Sequence, residues 1–298
     1  MSLMRQFRRY PAVKLQEHRR FVVAGRHVGW VVPEFAAALA RFPHVFHVDE
    51  HSVTLQPRLV DFDSRSEAVA EVLAQLRREG AVPGWRNELY AIAQGFHEPP
   101  LLQMERAATV LFGTLSYGVN LNGYVGREWA MKLWIARRSA TKPVDPNLLD
   151  LVVGGGQPVG ISPWENLMKE CREEAGIPET IARRARPAGL ITLLVRIEGH
   201  MRVGLQFNYD LELPADFTPD NVDGEVSEFM LLPVGDLIDL LKSPKSAADE
   251  FSYDVALVQL DFLIRHGFVG PEDPDYLDLI ANLRRPIPWE KVAPQGTS

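Results

Sequence analysis

Apolar residues along this chain recur with two periods. In 66–79 (SEAVAEVLAQLRRE), Val69, Val72, Leu73 and Leu76 form one helical stripe, and Gly80 follows as a stop. Pro33 to Phe42 predicts a short helix opened by its proline. The β-rich runs 45–48 and 52–55 flank Asp49-Glu50-His51 and predict a hairpin. Between Gly113 and Arg138 the pattern turns to alternation. Trp129, Met131, Leu133 and Ile135 are set against Ala130, Lys132 and Trp134, which predicts one or two strands with one buried face. The apolar run 148–153 predicts a short strand, followed by Gly154-Gly155-Gly156 and a strong helix. Further strands are expected at 190–198, 201–213 and 228–232. Helices are expected at 234–241, 252–266 and 275–283.

Strands and helices mix throughout, so the class is α/β (α+β). The change of pattern after Pro99-Pro100 places a domain boundary near residue 113. This gives a small N-terminal α/β domain (1–112) and a second domain (113–298) with C-terminal helices. A chain of 298 residues is long enough for two domains of ordinary size. Net charge is −7, so no overall field attracts nucleic acid or anionic lipid. No apolar run approaches the roughly 18 residues of a membrane span. The lone Cys171 excludes an intrachain disulfide and fits a reducing compartment, and a cytoplasmic location is expected. The start carries Arg5, Arg8 and Arg9 with no acid before Glu17, which suits a transit peptide as well as a solvated basic terminus.

The informative stretch is 154–177, GGGQPVGISPWENLMKECREEAGI. Ser162-Pro163-Trp164-Glu165 predicts a capping box with proline at the first helical position, and Gly176 ends a helix of about 13 residues. At about 100° per residue, Trp164, Leu167, Met168, Cys171 and Ala175 share a core-facing stripe. Glu170, Glu173 and Glu174 share another. Carboxylates at these spacings repel by about a few tenths of a kcal/mol per pair, which a bound cation would offset; a solvated acidic face with weak ion pairs is the bland reading. A hard divalent cation such as Mg²⁺ (or Mn²⁺) takes such oxygens, with substrate phosphates completing its shell. Gly154, Gly155, Gly156 and Gly160 let backbone approach a ligand closely, and a glycine loop feeding a helix N-terminus can cradle phosphate.

This segment resembles the Nudix box, G-x5-E-x7-R-E-U-x-E-E-x-G-U with U aliphatic. Gly155 matches the opening glycine, Glu170 the Glu after the basic position, Glu173-Glu174 the paired acids and Gly176-Ile177 the closing pair. Cys171 stands at the first U. Two positions depart: Ile161 replaces the first Glu, and Lys169 replaces the Arg, keeping its charge but not its fork. The resemblance implies a Nudix α/β/α sandwich with a mixed sheet, and metal ligation by Glu170, Glu173 and Glu174. It also points to Asp223-Gly224-Glu225 before the last strand, where Glu225, or next Glu228, is the candidate metal ligand or general base; a plain turn with solvated acids is the other reading. Stretches 118–125, 136–141, 150–160, 210–217 and 261–267 extend the likeness to a branch with an extra N-terminal domain, related to proteins associated with thiamin pyrophosphokinase. That branch implies hydrolysis of thiamin diphosphate or its oxo- and oxythiamin analogues.

On this reading water attacks phosphorus, Glu174 or Glu225 takes the proton, and Lys169 keeps the family's basic position. Gly155, Gly156, Arg137 (with Arg138) and Gln206 (with Asn122) are candidate substrate contacts. Trp129, Trp134, Phe207 and Tyr209 are aromatics able to stack on a heterocycle. Rival readings are hydrolysis of ADP-ribose or NADH, a Nudix-fold binding protein without turnover, and an isopentenyl diphosphate type isomerase, which needs a reactive cysteine. The histidines show no zinc spacing. The N-terminal domain either shapes the pocket or mediates a homodimer, and its composition leaves both open.

Overall fold

The structure is a computed structural model that describes residues 2–142, 144–197 and 199–290. Met1, Pro143, Glu198 (the expected end of one strand) and the tail 291–298 lie outside the described residues. The architecture is mixed α+β, as the two periods of the sequence imply.

Strands β1 (Arg19–Val23) and β2 (Arg26–Val31) form an antiparallel pair turning at Ala24-Gly25, both at positive φ. Helix α1 (Pro33–Leu39) follows, with proline in its first turn. The expected hairpin is present as β3 (Phe46–Val48) and β4 (Ser52–Leu55), and β4 runs parallel to β1, giving the order β2-β1-β4-β3. Helix α2 (Phe62–Arg78) starts four residues earlier than the apolar stripe suggests. Asp61 caps it: its carboxylate accepts from Ser64 N at 2.8 Å, and Ser64 Oγ accepts from Asp61 N at 3.3 Å. Its stripe of Val69, Val72, Leu73 and Leu76 is buried, as expected. A two-stranded unit, β5 (Leu89–Ile92) with β6 (Leu102–Glu105), leads into α3 (Arg106–Phe112), which ends at Gly113 in the left-handed region, φ 55°. The pattern of apolar residues does not mark β1, β2, β5, β6 or α3.

The larger sheet is built from β7 (Leu115–Val125), β8 (Lys132–Arg138), β9 (Leu149–Leu151), β10 (Val153–Gly156), β11 (Arg186–Ile197), β12 (His200–Glu212) and β13 (Val226–Pro233). Its order is β11-β12-β7-β8-β13, with β12 and β7 parallel. Helices α4 (Pro163–Ala175) and α5 (Glu179–Ala182) lie on one face. Helices α6 (Val234–Lys242), α7 (Tyr253–Arg265) and α8 (Tyr276–Leu283) cover the other. Val119, Leu121, Tyr209 and Leu211 meet Leu167, Cys171 and Ala175 on the α4 side. Leu133, Ile135, Ile191 and Leu193 meet the helices of the opposite side.

Cover on both faces corrects two expectations. Strand β8 has no solvent face: Leu133, Trp134, Ile135 and Ala136 are all buried. Trp129 lies before the strand and is 69% exposed. The single strand expected over 148–153 is divided. Strands β7 and β8 pair only at Tyr124/Leu133 and Val125/Lys132 and then part. The chain fills the gap, bonding first to β8 through β9 and then to β7 through β10. This splay places the glycine run at the mouth of the sheet, directly ahead of α4.

The start of the chain is no solvated tail. Residues Leu3–Arg8 form a 3₁₀ helix with Leu3, Met4 and Gln6 buried, and Gln6 Nε2 donates to Leu241 O at 2.7 Å. Among the described residues no helix is long and apolar enough to cross a membrane.

Candidate active site

Helix α4 forms where the local sequence requires it. Ser162 Oγ accepts from Glu165 N at 3.2 Å, and Glu165 accepts in return from Ser162 N at 2.8 Å. Pro163 fills the first helical position, and Gly176 closes the helix at φ 59°. Leu167, Cys171 and Ala175 then face the sheet, fully buried. Burial, with the charges of Glu174 and Glu170 adding to it, pushes the Cys171 thiol up to about 12. A thiol so held is protonated and enclosed, which removes the isomerase reading.

The three helix carboxylates have three different surroundings. Glu170 is nearly enclosed and accepts from Lys169 Nζ at 2.8 Å. Its carboxylate lies against Gly155, where a Cβ would come within 2.6 Å of Glu170 Cδ. Gly155 is therefore glycine because the acid occupies the space of its side chain. Glu174 accepts from Gly154 N at 2.7 Å, which fastens helix to strand. Part of Glu174 reaches the surface, but protein surrounds its carboxylate. That burial raises its pKa well above the usual range, the Gly154 hydrogen bond opposing and Asp150 and Glu170 reinforcing the rise. Glu173 stands at the rim, half-exposed, bonded to Arg172 at 3.1 Å and 3.9 Å from Lys169 Nζ. For Lys169, burial works against the charge. The hydrogen bond to Glu170 and the fields of Glu170, Glu173 and Glu88 outweigh it and raise the pKa.

The acids that converge are not the three expected. Glu174, Asp223 and Glu225 each bring an oxygen within 4.8 Å of the others. The Asp223-Gly224 turn is real: Gly224 has φ 80°, Asn221 Oδ1 accepts from its N–H, and Asp223 Oδ1 accepts from Glu225 N at 2.8 Å. The turn aims both acids at the end of α4, so the bland reading and the functional one describe the same residues. Glu225 is held by an ion pair with Lys142 and by its own carbonyl, which accepts from Ser139 N at 2.8 Å. Three carboxylates, offering only oxygen donors, suit a hard divalent cation such as Mg²⁺, so the residues present fit the metal expected. Glu170 lies within the electrostatic reach of Glu174 but outside this group, and Glu173 is turned toward the two basic side chains beside it.

Among the other expected contacts, Gln206 is in register with Gly118, which pairs with Gly156, and the rest are held in the sheet and its loops. The structure keeps Arg137 from the site: it pairs with Glu228 at 3.5 Å and Asp249 at 3.8 Å and donates to the carbonyls of Asn147 and Ala248. Its strand end is a loop anchor. Arg138 pairs with Asp150 and likewise ties a loop, donating to Val144 O at 2.8 Å. Gln206 packs over Gly118 and accepts from Asn120 Nδ2 at 3.1 Å. Asn122 donates to Asp210 at 2.9 Å. Phe207 lies parallel to Tyr117 at 6.1 Å and edge-on to Phe96, and Tyr209 packs on Trp164. Gly156 abuts Tyr90, which no motif or spacing in the sequence connects with the site. Asp223 and Lys142 were missed as well. No spacing links residues 142, 174 and 223, and the signal available for Asp223 was its place in the Asp-Gly-Glu turn.

A family model described as a domain of unknown function (DUF4743) matches residues 1–116. Nudix hydrolase 20, chloroplastic, of Arabidopsis thaliana is 41% identical over 280 residues, covering 91% of this chain and 74% of that protein. Nudix hydrolase 24, chloroplastic, of the same plant is 41% identical over 273 residues with the same coverage. A solved structure of the Nudix domain of NrtR from Shewanella oneidensis, in complex with ADP-ribose, is 12% identical at a TM-score of 0.40, covering 56% of this chain and 100% of that one. The two plant names overturn the cytoplasmic placement expected from the cysteine count, since both relatives are chloroplastic. One unpaired cysteine excludes a disulfide, but it carries no address. With the box on a capped helix, the acids gathered at its end and this identity along most of its length, the chain belongs to the Nudix hydrolase family.

Proposed function

We propose that the chain hydrolyses the diphosphate of a small organic diphosphate, thiamin diphosphate or its oxo- and oxythiamin analogues, to the monophosphate and phosphate. The observation that carries the hydrolytic reading is the convergence of Glu174, Asp223 and Glu225 at the end of a glycine-strand and capped-helix unit. The thiamin class rests on the sequence resemblance to the branch with an extra N-terminal domain. With it goes the division of the chain into residues 1–112 and 113–298.

Glu174, Asp223 and Glu225 would hold Mg²⁺ or Mn²⁺, and a cation bound there neutralises phosphate oxygens and makes a bound water more acidic. Glu174 is fixed by Gly154 N–H, so its carboxylate needs no reorganisation to serve. Glu225 is positioned by its ion pair with Lys142, and Glu225 or Glu174 takes the proton of the attacking water. Lys169 holds Glu170 away from the repulsion of its neighbours and against the glycine strand. The backbone at Gly155 and Gly156 lines the approach of the diphosphate.

Phosphate release from a panel tests the reading: thiamin diphosphate, oxythiamin diphosphate, ADP-ribose, NADH and nucleoside triphosphates, each with Mg²⁺ or Mn²⁺. Metal-dependent release from the thiamin compounds, reduced about a hundredfold or more in Glu174→Gln, is expected. Release from nucleotides alone sinks the thiamin assignment, and no release from any compound sinks the hydrolase reading.

A further inference from the structure

We propose that Arg106, from the helix that follows the two-stranded unit, binds a phosphate of the substrate, so that residues before Gly113 complete the active site. This rests on the diphosphate reading above.

The chain before Gly113 is fastened to the glycine loop. Val159 N donates to Leu89 O at 3.2 Å, joining the loop to β5. Tyr90, buried on the same strand, presses on Gly156 so closely that a Cβ there would overlap its hydroxyl. Arg106 Cζ stands 3.2 Å from that same Cβ position. The guanidinium lies 5.6 Å over the Tyr90 ring, and Nη1 donates to Glu88 at 2.8 Å. Ring and carboxylate therefore fix the Arg106 side chain beside the glycines.

The charges interlock across this contact. Burial opposes the charge of Arg106, but Tyr90, Glu88 and Glu170 outweigh it and raise its pKa. Glu88 in turn acts on Lys169. Arg106 thus shares an electrostatic neighbourhood with Glu170 of α4, although the two helices lie in different parts of the chain.

The other cations near the acids are paired with those acids themselves, whereas the partner of Arg106 is Glu88. Lys142 is paired with Glu225, and Lys169 is bonded to Glu170 with Glu173 beside it. Arg106 makes one side-chain hydrogen bond among the described residues, and 43% of its side chain is exposed. A guanidinium carries five donors in a planar fork that matches phosphate oxygens. Glycine at 156 lets Tyr90 and the guanidinium close directly onto the backbone of the glycine strand. A diphosphate held by the metal at one oxygen set retains further anionic oxygens for it.

The test compares wild type with Arg106→Gln and Arg106→Lys, using KM and kcat for the diphosphate substrate. The affinity of inorganic pyrophosphate with Mg²⁺, measured by calorimetry, is the second readout. Arg106→Gln is expected to raise KM and weaken pyrophosphate about tenfold or more, with kcat less affected, and Arg106→Lys to recover part of the loss. Unchanged KM and pyrophosphate affinity in Arg106→Gln overturn the proposal. If that variant fails to fold, Arg106→Lys decides alone, since it lacks the fork and must bind pyrophosphate more weakly. Turnover lost in Glu174→Gln beside an unaffected Arg106→Gln leaves the hydrolase standing and this proposal fallen. Without turnover in wild type the hydrolase reading fails, and pyrophosphate binding still judges Arg106.

Discussion

At the residue scale, one carbon atom decides the geometry of the site. Gly155 has no Cβ, and Glu170 lies in the space it would fill. In Gly155→Ala the contact falls on the end of a movable side chain rather than on backbone, so the cost is paid in position and not in folding. Destabilisation below about 1 kcal/mol is expected. Turnover should fall by about tenfold to a hundredfold, because misplacing a group by an ångström is enough for such a loss. Thermal melts beside initial rates check this, and an alanine variant as active as wild type contradicts it. The carboxylates of Glu170, Glu173 and Glu174 were legible as a set in the sequence. Their separate surroundings were not, because helical spacing gives a face but not what that face meets.

At the element scale, α4 is the part of the molecule most fully written in local sequence. Its cap, its proline, its closing glycine and its buried stripe all agree. Ser162→Ala removes the acceptor for Glu165 N and should cost about 1 kcal/mol, read as a lowered Tm and a lower denaturation midpoint. A variant with unaltered stability would show that the cap is dispensable. The buried stripe holds more. Leu167→Ala empties a site with no exposure and should cost about 2–5 kcal/mol in chemical denaturation. Strand β8 shows the opposite case. Its alternation pointed to one buried face, yet helices cover both, and alternation cannot report cover supplied by helices elsewhere in the chain.

At the scale of the whole molecule, long-range contacts join the ends of the chain. Trp289 stacks on Trp30 at 4.9 Å and 9°, and its Nε1 donates to Gln94 O at 3.2 Å. Beside it, His27 Nε2 lies 2.9 Å from Gly29 O, and Nδ1 accepts from Glu290 N at 3.2 Å. That arrangement requires a neutral ring. Burial lowers the His27 pKa below its ordinary 6.5, with the Gly29 carbonyl and Glu290 pulling the other way. The unfolded chain then takes up a proton that the folded one refuses. The contribution of His27 to stability is complete above about 6.5 and is lost as pH falls through the lowered folded value. Tm against pH should show this loss on the acid side, smaller in His27→Gln; equal profiles for the two proteins would refute it. A second tie, between α7 and the end of α8, is Asp261, fully buried and paired with Arg265 and Arg284. Asp261→Ala removes a buried acceptor from Arg265, which keeps Asp210, and from Arg284, and should cost about 1–3 kcal/mol.

The sequence by itself determined the mixed class, the long elements of the larger sheet, the limits of α4, and the family through its glycines and glutamates. These depend on contacts between near neighbours: caps, turns and a repeating apolar face. Only the tertiary structure decided which acids meet. Glu174, Asp223 and Glu225 come together because β7 and β8 part and leave room for the glycine strand, and because the turn at 223–225 faces the end of α4. It also placed Tyr90 and Arg106 beside Gly156 and set Arg137 apart. No period or spacing encodes such meetings, since they arise from the packing of two sheets whose strands are far apart along the chain.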